Sequence, residues 1–363
     1  MNPYLSLPTR AAAEPQTLDS IGNPVLWTTV IVGVLVLLAV DFLLTRKPHE
    51  VSMKEAIGWS IFYVALPLAF AGYVFLDFGS ERGLEFLTGY LVEKSLSVDN
   101  LFVFLLLLGA FAVPKELQQR VLLYGIVGAL VLRSIFIAVG AAALSAFDWM
   151  FLVFGLILVA TAVKILRDAL SGHDQEIDID EMRSVKFMRR FMPVTDDYDG
   201  PKMLSKVDGK RAITPLALVV VAVFAADIVF AVDSVPAVYG ITGDPFLVFA
   251  TNAFALLGLR ALYFVLEGAL SKLRHLGFGL AVILAFIGVK LALHWGHLQN
   301  DSVPEIPTLW SLGVIVVVLV ITTVTSLVAD KKAGDPLGSG DKDTDARTDT
   351  DSDRDDDGAT VSA

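Results

Sequence analysis

Glu93-Lys-Ser-Leu-Ser-Val-Asp99-Asn100 sets two carboxylates, an ammonium, two hydroxyls and an amide inside an apolar segment long enough to cross a bilayer. Packing alone does not ask for this, because one charged side chain at mid-bilayer costs roughly 2.5 to 3.5 kcal/mol on insertion scales. A second stretch, Asp227-Ile-Val-Phe-Ala-Val-Asp233-Ser234, repeats the carboxylate spacing and again places a small hydrogen-bonding residue after the second acid. The two stretches form the candidate site. The apolar blocks around them decide the fold.

Those blocks run about 20 residues, the length that crosses about 30 Å of hydrocarbon as a helix. With 55% hydrophobic residues and a mean hydropathy of +0.66, the chain reads as an all-α, polytopic membrane protein. About nine spans are expected, near 24–44, 54–77, 83–111, 119–143, 148–170, 213–239, 245–269, 275–296 and 308–329. Backbone amides in lipid must be satisfied within the segment, and no period-2 pattern supports a barrel. Cysteine is absent, which excludes disulfides and thiolate metal sites. Residues 335–363 hold ten Asp against Lys342, Arg347 and Arg354, so most of the net charge of −11 belongs to the tail. No basic or acidic body implies a nucleic-acid partner.

Residues 1–23 lack a basic n-region followed by an apolar core and read as an extracytoplasmic segment without a cleaved signal. The long connection 171–212 is acidic first, then basic from Arg183 to Arg211, and is expected to carry a short surface helix. The Lys/Arg bias places it in the cytoplasm, with the N-terminus outside and the C-terminus inside an inner (cell) membrane. Residues 330–363 are expected to be a solvated acidic tail, although Asp353-Arg-Asp355-Asp-Asp357-Gly358 matches the first half of a calcium loop.

The acidic stretches head an internal repeat. After Glu93 and Asp99 come Arg133 and Lys164; after Asp227 and Asp233 come Arg260 and Lys290. Three spans per copy is an odd number, so successive copies, 83–170 and 213–296, cross in opposite senses, as in many secondary transporters. Spans 24–77 and 308–329 are then expected to be peripheral. On a regular helix i+7 returns to the same face, while i+6 lies about 120° away. Glu93 therefore shares a face with Asn100, and Asp227 with Ser234. Asp99 and Asp233 point to one side unless the helix unwinds there, for which Pro236 and the Ser-Leu-Ser run are the sequence cues.

The expected metal-path residues are Glu93, Asp99, Asn100, Asp227, Asp233 and Ser234. This is a hard oxygen field, suited to Mn²⁺, Mg²⁺ or Ca²⁺ over Zn²⁺ or Cu⁺. Lys94, Arg133, Lys164, Arg260 and Lys290 are candidate ion-pair or gating residues, and static buried pairs with the acids are the structural alternative. His294 and His297 form an H-x-x-H near Asp301 and Glu305, read as a helix end or an external metal-release patch. Asn252 is a cavity-lining or helix-bonding residue. Asp41 and Glu267 receive no role, being placed near span ends.

Glu93-Lys-Ser-Leu-Ser-Val-Asp-Asn-Leu-Phe-Val-Phe and Phe224-Ala-Ala-Asp-Ile-Val-Phe-Ala-Val-Asp-Ser-Val-Pro-Ala together resemble the TerC family of integral membrane proteins, over about residues 30 to 330. The family is named for tellurite resistance and includes manganese exporters, one induced at alkaline pH; calcium and metal supply to secreted enzymes have also been attached to it. The resemblance implies Mn²⁺ efflux with Glu93, Asp99, Asn100, Asp227 and Asp233 along the metal path. The expected function is thus a divalent-cation exporter working by alternating access, with no cofactor beyond the transported ion. The competing expectation is a non-transporting scaffold whose 171–212 segment recruits a stress or secretion complex. An enzyme is not expected, since no span carries a nucleophile–base arrangement or H-E-x-x-H.

Overall fold

The computed structural model describes residues 20–44, 52–171, 183–191, 193–195, 197–207, 210–266 and 276–333. Most of the N-terminal segment, the acidic half of the 171–212 connection, Glu267 and the calcium-loop-like tail lie outside the described residues.

The elements in order are α1 (Pro24–Leu44), α2 (Met53–Ala110), α3 (Lys115–Ala146), α4 (Met150–Ser171), α5 (Arg183–Phe191), β1 (Leu204–Val207), β2 (Lys210–Ile213), α6 (Pro215–Tyr239), α7 (Pro245–Leu257), α8 (Leu259–Leu266), α9 (Leu276–Gln299) and α10 (Thr308–Ala333). Among the described residues, eight helical stretches are long and apolar enough to cross a membrane, α7 and α8 counting as one.

One of the eight crosses twice. The 58 residues of α2 would extend about 87 Å if straight, nearly three times the hydrocarbon thickness. The helix breaks at Gly79, where φ is 88° and ψ 172°, a conformation glycine adopts without a Cβ penalty. The chain folds back there, since the rings of Phe70 and Phe86 stack edge-on with centroids 5.1 Å apart. The expected spans 54–77 and 83–111 are therefore a hairpin turned on one residue, and the chain makes nine passes among the described residues.

Local chemistry sets the other starts. Thr214 caps α6 by accepting from the Ala217 amide, with Pro215 in the first turn. Asp244 caps α7 in the same way, accepting from the Phe246 amide at 2.8 Å, and also ties down the segment before α1 through Ser20 Oγ and the Ile21 amide. The 171–212 connection holds more than the expected helix. Val185 is buried where α5 packs on α6, and β1 and β2 pair antiparallel with Leu204 opposite Ile213. Just before the hairpin, Asp199 accepts from Lys202 and Ser205, which hold its carboxyl below the usual carboxylate range.

The pairings of the spanning helices follow the repeat. α4 lies along α9, α2 packs on α7 and α8, and α3 packs on α6. This set maps onto itself when α2 is exchanged with α6, α3 with α7–α8, and α4 with α9. Apolar side chains such as Leu35, Ile61, Val131, Leu156, Val229, Val289 and Val320 cover the outside, as a hydrocarbon solvent requires.

The α4–α9 contact is a backbone crossing. A Cβ on Gly155 would lie 2.6 Å from the Gly288 carbonyl oxygen, and one on Gly288 would lie 2.7 Å from that of Gly155. Small residues let membrane helices approach in this way. Gly155→Leu is expected to force the pair apart and cost about 1 to 3 kcal/mol or more, read as a lower unfolding temperature in detergent. Gly33→Leu, where nothing lies within 4 Å, should leave that temperature unchanged.

Candidate functional site

Glu93 on α2, Arg133 on α3 and Asp227 on α6 meet in the middle of the bundle, each with a buried side chain. Arg133 Nη1 donates to Glu93 Oε1. Its Nη2 and Nε both reach Asp227 Oδ1, at 3.3 and 3.4 Å. Asn100 completes the ring: with its amide assigned in the orientation that its neighbours require, the oxygen accepts from Arg133 Nη2 at 2.9 Å and the nitrogen donates to the Leu96 carbonyl at 3.1 Å. A shared face through i+7 thus brings Glu93 and Asn100 to the same guanidinium.

The arginine satisfies only part of this centre. Glu93 Oε2, Asp227 Oδ2, Ser97 Oγ and Ser234 Oγ are all buried without a hydrogen-bond partner among the described residues. Asn252 on α7 faces Glu93 but forms no bond of ordinary geometry. Asp99 and Asp233 are half-buried, turned away from the fully buried face as the i+6 spacing predicts. Among the described residues Asp99 has no hydrogen-bond or ion-pair partner, and Asp233 has none beyond its own backbone amide. Asp233 still lies within the electrostatic reach of Arg133, Asp99 and Glu93. Because α2 and α6 run in opposite directions, Asp99 lies about 9 Å along its helix toward the side of the 171–212 connection, and Asp233 about 9 Å toward the other.

Several expectations need correction. No unwinding occurs at the acids: Gly79 is the position inside α2 with non-helical angles, and α6 continues through Asp233 and Pro236 to Tyr239. Pro236 sits close enough to the end of α6 that the helix closes after it. The four acids also do not converge on one point; among the described residues no group of three or more His, Cys, Asp or Glu is close enough to hold a metal ion. Arg133 stands between them instead.

Of the other basic candidates, none joins the acids. Lys94 lies over Gly258, where a Cβ would come within 2.9 Å of its Nζ, and donates to the Ala255 carbonyl at 3.4 Å. Lys164 is exposed on α4, near enough to the helix end for its long stem to reach the interface. Lys290 lines a cavity of about 860 Å³ on the membrane side opposite α5, together with Glu81, Glu85, Tyr239, Thr242, His294 and Glu305. There Glu85 accepts from Arg82 at 2.9 Å and from Thr242 at 2.8 Å. His294 pairs with Glu305 at 2.8 Å while His297 bonds the Val303 carbonyl, so the two histidines do not form a joint ligand pair.

Arg260 is the largest departure. It binds Asp41 of α1 through Nη2 at 2.5 Å and Nε at 3.0 Å, and reaches Gln119 of α3 at 3.4 Å. Tyr63 of α2 faces the same carboxylate. Asp41 is 2% exposed, buried rather than in reach of water, and α1 is no bystander to the site's second arginine. The signal was present: Asp41 is the one acid in an otherwise apolar span, and such acids are functional candidates by default.

Comparison with known proteins agrees with the motifs. The model of the integral membrane protein TerC family matches residues 78–334. The chain belongs to the TerC family. A membrane protein of Myxococcus xanthus, uncharacterized and designated STKORF319, is 42% identical over 88% of this chain and 97% of its own length. A Salmonella typhi protein whose name proposes a membrane-bound redox modulator, Alx, is 43% identical over 85% of this chain and 95% of its own. The Escherichia coli K12 protein of the same name is 42% identical over 84% and 95%. No solved structure matches. The match includes both acidic stretches, every repeat helix and the 171–212 connection of this TerC protein.

Proposed function

We propose that this TerC protein exports a divalent cation, Mn²⁺ foremost, through the Glu93–Arg133–Asp227 centre. The observation that carries this reading is the imbalance of charge and hydrogen bonding. Two buried carboxylates share one guanidinium, the carboxylates of Asp99 and Asp233 stand further along the same helices without an ion-pair partner among the described residues, and two carboxylate oxygens and two hydroxyls at the centre lack partners there. Buried polar groups are nearly always satisfied, and oxygen donors of this kind suit hard cations. A divalent cation at this centre would offset most of the excess negative charge and occupy those lone pairs.

In this reading the 171–212 side is cytoplasmic, by its Lys/Arg bias. The cation passes Asp99, takes the carboxylates of Glu93 and Asp227 from Arg133, and leaves past Asp233 toward the 860 Å³ cavity. Arg133 re-pairs with the acids after release, and so keeps the empty centre from closing on an uncompensated charge. Protons on the remaining acids would make the exchange cation for proton. The redox role in the relatives' name would not run through thiols, since the 363 residues contain no cysteine.

The test is Mn²⁺ movement in inverted or reconstituted vesicles, with Ca²⁺ and Mg²⁺ as competitors. Asp99→Asn removes a charged interaction of roughly 1.5 to 3 kcal/mol, which corresponds to a fall of about 10- to 150-fold in apparent affinity. The variant should remain folded. Absence of flux for any of these cations in the unmodified protein would sink the exporter reading and favour the scaffold, which should tolerate Asp99→Asn and fail when 171–212 is altered.

A further inference from the structure

The two sides of the acidic centre are built differently. Opposite α5 lies the 860 Å³ cavity, ending on Tyr239, whose hydroxyl donates to the Ile137 carbonyl at 2.8 Å. On the α5 side four helices converge on one buried salt bridge. Asp41 comes from the last turns of α1, Tyr63 from the first half of α2, Gln119 from the first turns of α3 and Arg260 from α8. Phe104, Leu107 and Leu108 of α2 and Leu117 of α3 are buried at the same end. Among the described residues the centre is thus covered toward α5 and hollow toward the other face.

Asp41 is not part of either repeat. By repeat symmetry Arg260 should stand to Asp227 and Glu93 as Arg133 does to Glu93 and Asp227. It does not, because a carboxylate from outside the repeats holds it. The bidentate geometry, with Nη2 and Nε each on a separate carboxylate oxygen, is the strong and directional form of an arginine–carboxylate bond. Such a pair, once desolvated, has two discrete arrangements, made or broken, and is a two-state element rather than a deformable one.

We propose that the Asp41–Arg260 pair is the latch that closes the α5 side of the transport path, so that α1 acts as the strut of the inner gate. The latch rests on the transport reading for its purpose but not for its detection. With the latch made, Arg260 is parked and Ser97, 0% exposed and lying between Glu93 and Asp99, is sealed. With the latch broken, α8 and the end of α1 separate and Ser97 meets water from the α5 side. Arg260 is then free to approach the acids in the place Arg133 now occupies.

The absence of cysteine makes the test direct. Ser97→Cys, alone and combined with Asp41→Asn, is placed in vesicles oriented so that a charged, membrane-impermeant thiol reagent meets the α5 side. Labelling should be slow in the single variant and about tenfold faster or more with Asp41→Asn, since about 1.4 kcal/mol removed from the closed state gives a factor of ten. The exchange Asp41→Arg with Arg260→Asp should restore slow labelling, which a merely damaged fold would not. Thermal unfolding of each variant in detergent identifies misfolding separately.

Unchanged labelling on Asp41→Asn in a folded protein overturns the latch, as does labelling raised equally from both sides. Mn²⁺ flux is measured in parallel on vesicles of the unmodified protein and of Asp41→Asn alone, both retaining Ser97. Faster labelling in a protein that moves no cation keeps the latch and removes the transport reading; normal flux with unaltered labelling does the reverse.

Discussion

Replacing Arg133 by leucine is expected to lower the stability of the folded chain by about 3 to 5 kcal/mol and to stop cation movement. Arg133 is 0% exposed and is the shared partner of Glu93 and Asp227, themselves buried. Removing it leaves two carboxylates in a low-dielectric interior without the cation that both are bonded to. The penalty is the desolvation of those charges rather than the lost attraction, so it exceeds that of an exposed pair, worth about 0 to 1 kcal/mol. Lys202–Asp199, in the connection just before β1 and with exposures of 64% and 42%, is the internal control. Lys202→Ala should change stability little. Chemical unfolding in mild detergent measures both, and an Arg133→Leu variant as stable as its parent would mean that the acids are neutral in the folded state.

A threefold replacement separates stability from function. Arg133→Met with Glu93→Met and Asp227→Leu removes all three charges while keeping the volume. Buried ionic triads replaced by well-packed apolar residues are often neutral or more stable by about 1 to 4 kcal/mol. The triple variant should therefore regain the stability that Arg133→Leu loses, and possess no Mn²⁺ flux at all. Stability and flux moving in opposite directions is the signature of a centre kept for its chemistry. If the triple variant retains flux, the cation path lies elsewhere, with the cavity that Lys290, Glu85 and Glu305 line as the next place to look. If it merely unfolds, the triad is a folding element, and Asp99→Asn, whose carboxylate has no partner to orphan, remains the test of transport.

The residues of the centre were legible because the bilayer makes polar side chains conspicuous. Glu93, Asp99, Asp227 and Asp233 stand out against apolar helices, and helical spacing assigns Asn100 and Ser234 to the buried face with no knowledge of the fold. Tyr63 and Gln119 were not legible. A tyrosine and a glutamine in the cytoplasm-proximal or outer turns of a span are ordinary in a membrane protein, and only their convergence on the Asp41–Arg260 pair gives them a role. The hairpin β1–β2 was also missed, since its eight residues lie in a polar connection where four-residue strands leave no periodic signal.

The sequence by itself determined the nine crossings, the opposite senses of the two repeats and the identity of the intramembrane acids. Each follows from a local rule of hydrocarbon length, odd span number or the cost of charge. It presented Arg133 and Arg260 as equivalents, at matching places in matching helices. Only the tertiary structure decided between them. Arg133 lies where α2, α3 and α6 meet and takes both central acids, whereas Arg260 lies within reach of α1, whose Asp41 belongs to no repeat and claims it first. A buried guanidinium pairs with whichever carboxylate shares its desolvated pocket, and which one does so is a property of helix packing that neither spacing nor composition encodes.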